Sequence, residues 1–254
     1  MVKDNPNNRS ASRAVAIFEL FARERRCLFI TEIAEAMNIP VSSCYGLMKT
    51  LEMEGFAYSL GPRQGFYPTK KMQQLAEIIR ANDPLERIVG PVVRALGEQT
   101  GETIILAQMV GGKCVATITV ESAHRVRYIP QVGEAWPIHS TSAGRALLGL
   151  LPKSERQRVV NSLDLNKLTD RTITDKHKLL ELIDREIERG FHMTEGESIA
   201  ELGGISRAVV INDQPFSLTI NGPIQRIVHR LNDYAAALDE ACASLSKLAD
   251  PPGA

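Results

Sequence analysis

Residues Leu28 to Tyr67 constrain this 254-residue chain more than any other stretch. They read L-F-I-T-E-I-A-E-A-M-N-I-P, then V-S-S-C-Y-G-L-M-K-T-L-E-M-E-G, then F-A-Y-S-L-G-P-R-Q-G-F-Y. In the first part Ile33, Ala34 and Met37 share one face of a short helix, with Thr31 as its expected N-cap. Asn38 and Pro40 stop that helix: Asn accepts a left-handed backbone, and the residue before a proline is driven out of the helical region. The second part predicts a helix over 41–54, with Val41, Cys44, Leu47, Met48 and Leu51 as a buried stripe. Its opposite face carries Ser42, Ser43, Tyr45, Gly46, Lys49 and Thr50, which are small, polar or basic. Gly55 ends the helix. Phe56–Tyr58 and Gly65–Tyr67 then read as two strands joined across Gly61-Pro62-Arg63-Gln64.

Two short helices, a tight turn and a two-stranded wing make a winged helix-turn-helix, a fold that inserts its second helix into the DNA major groove. The competing reading is a surface hairpin with solvated faces. On the DNA reading, Ser42, Ser43 and Tyr45 are candidates for base edges and Lys49 for a base or a phosphate. Arg63 at the wing tip reaches a neighbouring minor groove. Arg13, Thr31, Lys70 and Lys71 are the remaining candidates.

Net charge is zero, yet it is unevenly spread: residues 1–71 carry +3 and the remainder −3. That fits a mildly basic DNA-binding unit joined to something else. The four cysteines, Cys27, Cys44, Cys114 and Cys242, form no C-x-x-C pair. Scattered single thiols suit a reducing cytoplasm. The first ten residues lack the apolar core of a secretory signal, and no run of 18 apolar residues predicts a membrane span.

In chain order, Ser10 or Ser12 is expected to cap a first helix whose Val15, Ile17, Phe18, Leu20 and Phe21 supply apolar contacts. Residues 69–80 read as a connecting helix with Met72, Leu75, Ile78 and Ile79 on one face. A helix with an apolar face and no cover of its own often packs on a symmetry mate. Pro84 opens a longer helix to Thr100 with Pro91 inside it. Strands follow at 103–110, 113–120 and 125–129, the first two joined by a Gly111-Gly112 hairpin. Ser140, Thr141 or Ser142 caps a helix to Leu150, and free amides at such a start hold anionic or polar groups. Helices at 154–162 and 175–189 come next. In the latter, Leu179, Leu180, Leu182, Ile183 and Ile187 are expected inside. Strands at 191–194, 205–211 and 216–221 and a final helix over 224–248 complete an α+β unit with a mainly antiparallel sheet. The expected division is 1–68 for the winged helix, 69–83 for the linker helix and 84–254 for the second domain.

Enzyme chemistry finds little support. The five histidines (124, 139, 177, 192, 229) form no H-E-x-x-H or zinc-ligand spacing, and there is no G-x-S-x-G elbow. No catalytic residue, metal or cofactor is expected.

Nearly the whole chain, residues 10 to 248, resembles the IclR family of bacterial transcriptional regulators. The likeness rests on S-R-A-V-A-I-F-E-L-F-A (12–22), I-T-E-I-A-E-A-M-N-I-P (30–40) and S-S-C-Y-G-L-M-K-T-L (42–51). In the second domain it rests on H-S-T-S-A-G-R-A-L-L (139–148), E-R-G-F (188–191), Glu197 and I-N-G-P (220–223). The resemblance implies a GAF-like effector domain that binds a small organic molecule. It also implies a homodimer or dimer of dimers on a near-palindromic double-stranded operator. It points to Trp136, His139, Ala143, Gly144, Glu195, Gly204, Thr219 and Asn221 as effector-binding. This chain departs from relatives at Val41, Tyr45 and Gly46, where they often carry basic residues or His, and at Gly204, where they usually carry Cys.

Together these features predict a cytoplasmic regulator of a catabolic operon whose operator affinity changes when a small organic acid, aromatic acids among the candidates, binds the second domain. The rival is a ligand-independent DNA-binding protein whose second domain only oligomerises.

Overall fold

The computed structural model describes residues 9–61 and 64–249. The chain divides into two compact units, Met1–Asp83 and Pro84–Ala254.

The first unit begins with α1 (Arg9–Glu24), followed by α2 (Ile30–Ala36) and α3 (Val41–Met53). Ile17, Leu20 and Phe21 of α1 meet Ile33, Cys44 and Met48 in one apolar core. Several expectations on caps and burial change. Ser10 and Ser12 lie inside α1, which is already helical at Arg9. Thr31 is not the cap of α2, which starts one residue before it. Phe29, extended, stands at the N-cap, and its amide donates to the Glu32 carboxylate at 2.7 Å. Asn38, with a φ of 51°, makes the left-handed turn into α3. Val41 is half exposed at the start of α3 and does not join the buried stripe. The wing pairs β1 (Ala57–Ser59) with β2 (Phe66–Pro68), Tyr58 opposite Tyr67. Leu28 bridges to Phe66. A Cβ on Gly65 would sit 2.7 Å from the Leu28 carbonyl oxygen, so only glycine fits there. Arg63 lies outside the described residues. The last element, α4 (Lys71–Ala81), buries none of its residues.

The second unit opens with α5 (Pro84–Thr100) and the hairpin of β3 (Thr103–Val110) and β4 (Lys113–Val120). Gly111 and Gly112 both take positive φ in the two-residue turn between them. After a short β5 (Ala135–Pro137) and a 3₁₀ turn come α6 (Ser142–Leu150), α7 (Lys153–Ser162) and α8 (Lys176–Arg189). Then follow β6 (His192–Glu195), β7 (Leu202–Ile211), β8 (Gln214–Pro223), α9 (Ile224–His229) and α10 (Leu231–Ala249). The six strands form one antiparallel sheet in the order β5-β4-β3-β8-β7-β6.

The two faces of this sheet differ, because side chains alternate along each strand. Ile104, Leu106, Leu218 and Ile220 face one way, into a core with Val93 and Leu96 of α5 and Leu238 of α10. On β7 and β8 the other face carries small or polar residues: Gly204 opposite Asn221, Ser206 opposite Thr219, Ala208 opposite Ser217. That face lies toward α6.

Three expectations about this unit are corrected. Residues 125–129 form no strand: the Val126 carbonyl accepts from Arg226 and the Tyr128 carbonyl from Thr103, so side chains satisfy a backbone that strand neighbours would otherwise pair. The last helix is broken at Arg230, where α9 ends and α10 begins. In α8, Ile187 is exposed and Glu186 is buried in its place. Among the described residues no helix is long and apolar enough to cross a membrane.

Candidate functional site

The second unit holds a narrow slot between the polar face of its sheet and the start of α6. It spans about 400 Å³ with its open mouth, of which only about 30 Å³ is wide enough for the centre of a water molecule. Thr194, Thr219 and Asn221 of the sheet form its polar side. Tyr128 and Trp136 form an aromatic wall, and Ile105 and Leu202 add apolar surface. Thr141, Ser142 and Ala143 bring the first turn of α6 to it, and Ser198 comes from the loop after β6. Tyr128 is the only one of these that can ionise. Burial and the nearby Glu134 carboxylate push its hydroxyl up to about 12, so it stays neutral.

Polar groups converge here. Thr141 caps α6 by accepting from the Gly144 amide at 3.0 Å. The Ser142 and Ala143 amides, ahead of it, have no intrahelical acceptor. Ser206 donates to the Ser142 hydroxyl at 2.7 Å and lies 2.7 Å from the Thr219 hydroxyl. Each hydroxyl has one proton, so Thr219 gives its own to Ser206, and Ser142 keeps a free one beside the free amides. Asn221 is only 8 % exposed, and its amide has no hydrogen-bond partner among the described residues. The aromatic wall is fixed by Glu134. One of its carboxylate oxygens accepts from the Trp136 indole at 2.9 Å and from the Tyr128 hydroxyl at 3.4 Å.

Of the residues expected to bind effector, Trp136, Ala143, Thr219 and Asn221 line the slot. Gly204 lies at its floor: a Cβ there would sit 2.7 Å from Asn221 Oδ1, 2.8 Å from Ser142 Oγ and 3.1 Å from Thr194 Oγ1. Gly144, His139 and Glu195 do not line it. A Cβ on Gly144 would lie 2.1 Å from the Ile138 carbonyl oxygen, so this glycine lets α6 start against the preceding turn. His139 is buried, with Nε2 3.2 Å from the Asn166 carbonyl, and burial lowers its pKa. Glu195 is exposed, and its carbonyl accepts from Arg171. Sequence reasoning missed Tyr128, Thr194 and Ser198, whose polarity in a loop or strand carries no signal of its own.

It also missed a buried charge cluster behind the slot. Arg145, fully buried, donates to Glu186, Glu197 and the Met193 carbonyl. His192 Nδ1 lies 3.0 Å from Glu186. Burial pushes the Glu186 carboxyl up, but the His192 hydrogen bond, the Arg145 charge and the Met193 amide outweigh it and hold the pKa low. Together these contacts tie α6, α8, β6 and the loop after β6 into one block.

In the first unit, a hollow between α2, α3 and the wing is lined by Thr31, Tyr45, Lys49, Ser59 and Gly61. Ser42 and Ser43 are exposed on α3. Lys49 Nζ is paired with Glu52 at 2.6 Å and lies 5.9 Å from the Tyr45 ring centre. Arg13 is half-buried on α1 and Lys70 is exposed just before α4. Lys71 is committed within the unit, donating to the Glu54 carbonyl and lying over the Phe56 ring.

A winged helix joined in one chain to an α+β unit with a narrow polar slot is the architecture of a DNA-binding transcriptional regulator. Comparison with known proteins agrees. Residues 10–61 match the IclR helix-turn-helix domain, and residues 80–247 match the bacterial transcriptional regulator IclR C-terminal domain. The chain belongs to the IclR family, whose members are transcriptional regulators. It is 24 % identical over 237 residues to the transcriptional repressor IclR of Escherichia coli K12, covering 91 % of this chain and 86 % of that one. Its fold is similar to that of an IclR transcriptional regulator of Alicyclobacillus acidocaldarius (TM-score 0.77, 22 % identity, 96 % and 100 % covered). It is also similar to an IclR homolog of Microbacterium hydrocarbonoxydans in complex with 4-hydroxybenzoate (TM-score 0.74, 19 % identity, 94 % and 98 % covered).

Proposed function

We propose that this regulator is ligand-responsive: a small organic acid bound in the slot changes its affinity for the operator of a catabolic operon. The observation that carries this is the convergence of the two free amides of α6, the free Ser142 proton and the unpartnered Asn221 amide on one narrow space walled by Trp136 and Tyr128. A polar group bound in the slot would find hydrogen-bond partners in these donors and in the Asn221 amide that borders it. The helix start favours an anion, and a narrow slot beside two aromatic rings favours a flat body. The 4-hydroxybenzoate held by the Microbacterium homolog has both features. Among the described residues that line the slot none is cationic, which disfavours a ligand with more than one negative charge.

On the DNA side, α3 enters the major groove with Ser42, Ser43, Tyr45 and Lys49 toward the bases and phosphates. The exposed apolar face of α4, with Ile78 60 % and Ile79 71 % exposed, is covered by a second copy in a homodimer or dimer of dimers. Ligand binding then acts by changing the spacing of the two reading heads.

Trp136 is the single tryptophan of the chain, so its fluorescence reports on the slot directly. Titration with 4-hydroxybenzoate, benzoate, pyruvate and glyoxylate is expected to change Trp136 emission saturably for one of them. The same acid is expected to shift fluorescence anisotropy of the protein on DNA from upstream of its own gene. DNA binding that none of these acids alters, with Trp136 emission unmoved, would favour the ligand-independent rival.

A further inference from the structure

Gly46 stands inside α3, and nothing among the described residues calls for a glycine there. Glycine loses more backbone freedom on folding than any other residue, and within a helix only proline is a poorer former. Every other described glycine has a left-handed backbone or an atom within 3.1 Å of its absent Cβ. Gly46 has neither: its backbone is helical, and a Cβ there would meet nothing within 4 Å. The fold leaves room for a side chain here that the sequence does not use. Around it on the helix surface lie Ser42, Ser43, Lys49 and Thr50, all exposed. The Thr50 hydroxyl folds back onto the Gly46 carbonyl at 3.0 Å, which keeps the surface low beside the glycine. Tyr45, 53 % exposed, and Lys49 stand at its edge.

We infer that Gly46 is the point of closest approach between α3 and DNA, where base-pair edges seat directly against the helix backbone. A Cβ at this position would hold the helix off the floor of the groove and draw Ser42, Ser43 and Tyr45 out of hydrogen-bond reach. The inference rests on α3 being the helix that enters the groove.

Two properties of Gly46→Ala then move in opposite directions. Calorimetry of the full chain should show the unfolding midpoint of the first unit rising by about 4 °C, since alanine is the better helix former and has room. Affinity for a duplex selected from random sequence by the wild-type protein should fall at least ~10-fold. Lys49→Ala, Ser43→Ala and Tyr45→Ala serve as reporters of the groove face. If they weaken binding while Gly46→Ala binds within threefold of wild type, the close-approach inference is overturned and the reading of α3 stands. If none of the four variants affects binding, both fall. A lowered midpoint for Gly46→Ala would show that the fold itself needs the glycine, and would also overturn the inference.

Discussion

The Arg145 guanidinium, with no exposed surface, lies 3.2 Å from the Glu197 carboxylate, joining the first turns of α6 to the loop that carries Ser198 into the slot. Glu186 of α8 is the second carboxylate on this cation, its Oε2 3.0 Å from Arg145 Nε. The start of α6 and the loop carrying Ser198 are therefore tied together through one buried cation. Removing that cation leaves two largely buried carboxylates without their cation, and breaking such a buried pair costs roughly 3–5 kcal/mol. Arg145→Met is expected to destabilise the second unit by about that much. Urea denaturation followed by Trp136 fluorescence, which reports only on that unit, checks it. A change under 1 kcal/mol would mean that the cluster is solvated in solution.

Gly204 tests the slot by volume. An added methyl meets Asn221, Ser142 and Thr194 oxygens at 2.7 to 3.1 Å, and these side chains must swing into the space that a ligand would fill. Gly204→Ala is expected to weaken the acid that moves Trp136 emission by at least ~10-fold, because overpacking a filled site is costly. DNA affinity without ligand should stay as in wild type. An unaltered ligand titration would place the bound acid away from β7.

How much of this was legible in the sequence depended on whether a residue's role is local. The wing, the Gly111-Gly112 hairpin and the antiparallel sheet follow from alternation and turn chemistry between near neighbours, and the structure contains them. The cap of α2 was misplaced because the Glu32 carboxylate reaches back to Phe29, which makes a hydroxyl at Thr31 unnecessary. The strand expected at 125–129 failed for a longer-range reason: Arg226, about a hundred positions away, takes a carbonyl that alternation assigned to a neighbouring strand. The slot was half legible. Trp136, Ala143, Thr219 and Asn221 came from the family resemblance, whereas Tyr128 and Ser198 enter through irregular segments that no periodicity describes.

His139 gives a pH signature. Burial, opposed by the Asn166 carbonyl and aided by the Arg145 charge, lowers its pKa in the folded chain below the ordinary 6.5. The unfolded chain therefore binds a proton that the folded chain refuses, and stability rises with pH across the interval between the two values. The contribution is complete above pH 6.5 and is lost as pH falls below it. His139→Gln should flatten that part of the profile. Urea midpoints of both proteins at pH 7.5, 6.5 and 5.5, read from Trp136, give the comparison. Parallel profiles would assign the acid sensitivity to another group.

Lys49 gives the sharpest test on the DNA side, because its charge is already in use. Its Nζ lies 2.6 Å from Glu52, and the pairing raises the Lys49 pKa and lowers that of Glu52. The pair is solvent-exposed, so it is weak and screened by salt, and it does not hold the fold together. It does place a carboxylate beside the cation expected at the groove. If Lys49 neutralises a phosphate, Lys49→Ala lowers the slope of log affinity against log salt by about one unit. Glu52→Gln, which frees the same lysine and removes a negative charge facing the DNA, should tighten binding at low salt by roughly 3- to 10-fold while leaving stability nearly unchanged. Loss of discrimination among operators in Lys49→Ala, with the slope retained, would instead make Lys49 a base reader. If neither variant changes affinity or slope, Lys49 lies outside the DNA interface, and the hollow between α2, α3 and the wing has to meet DNA through its remaining residues, Thr31, Tyr45 and Ser59 among them.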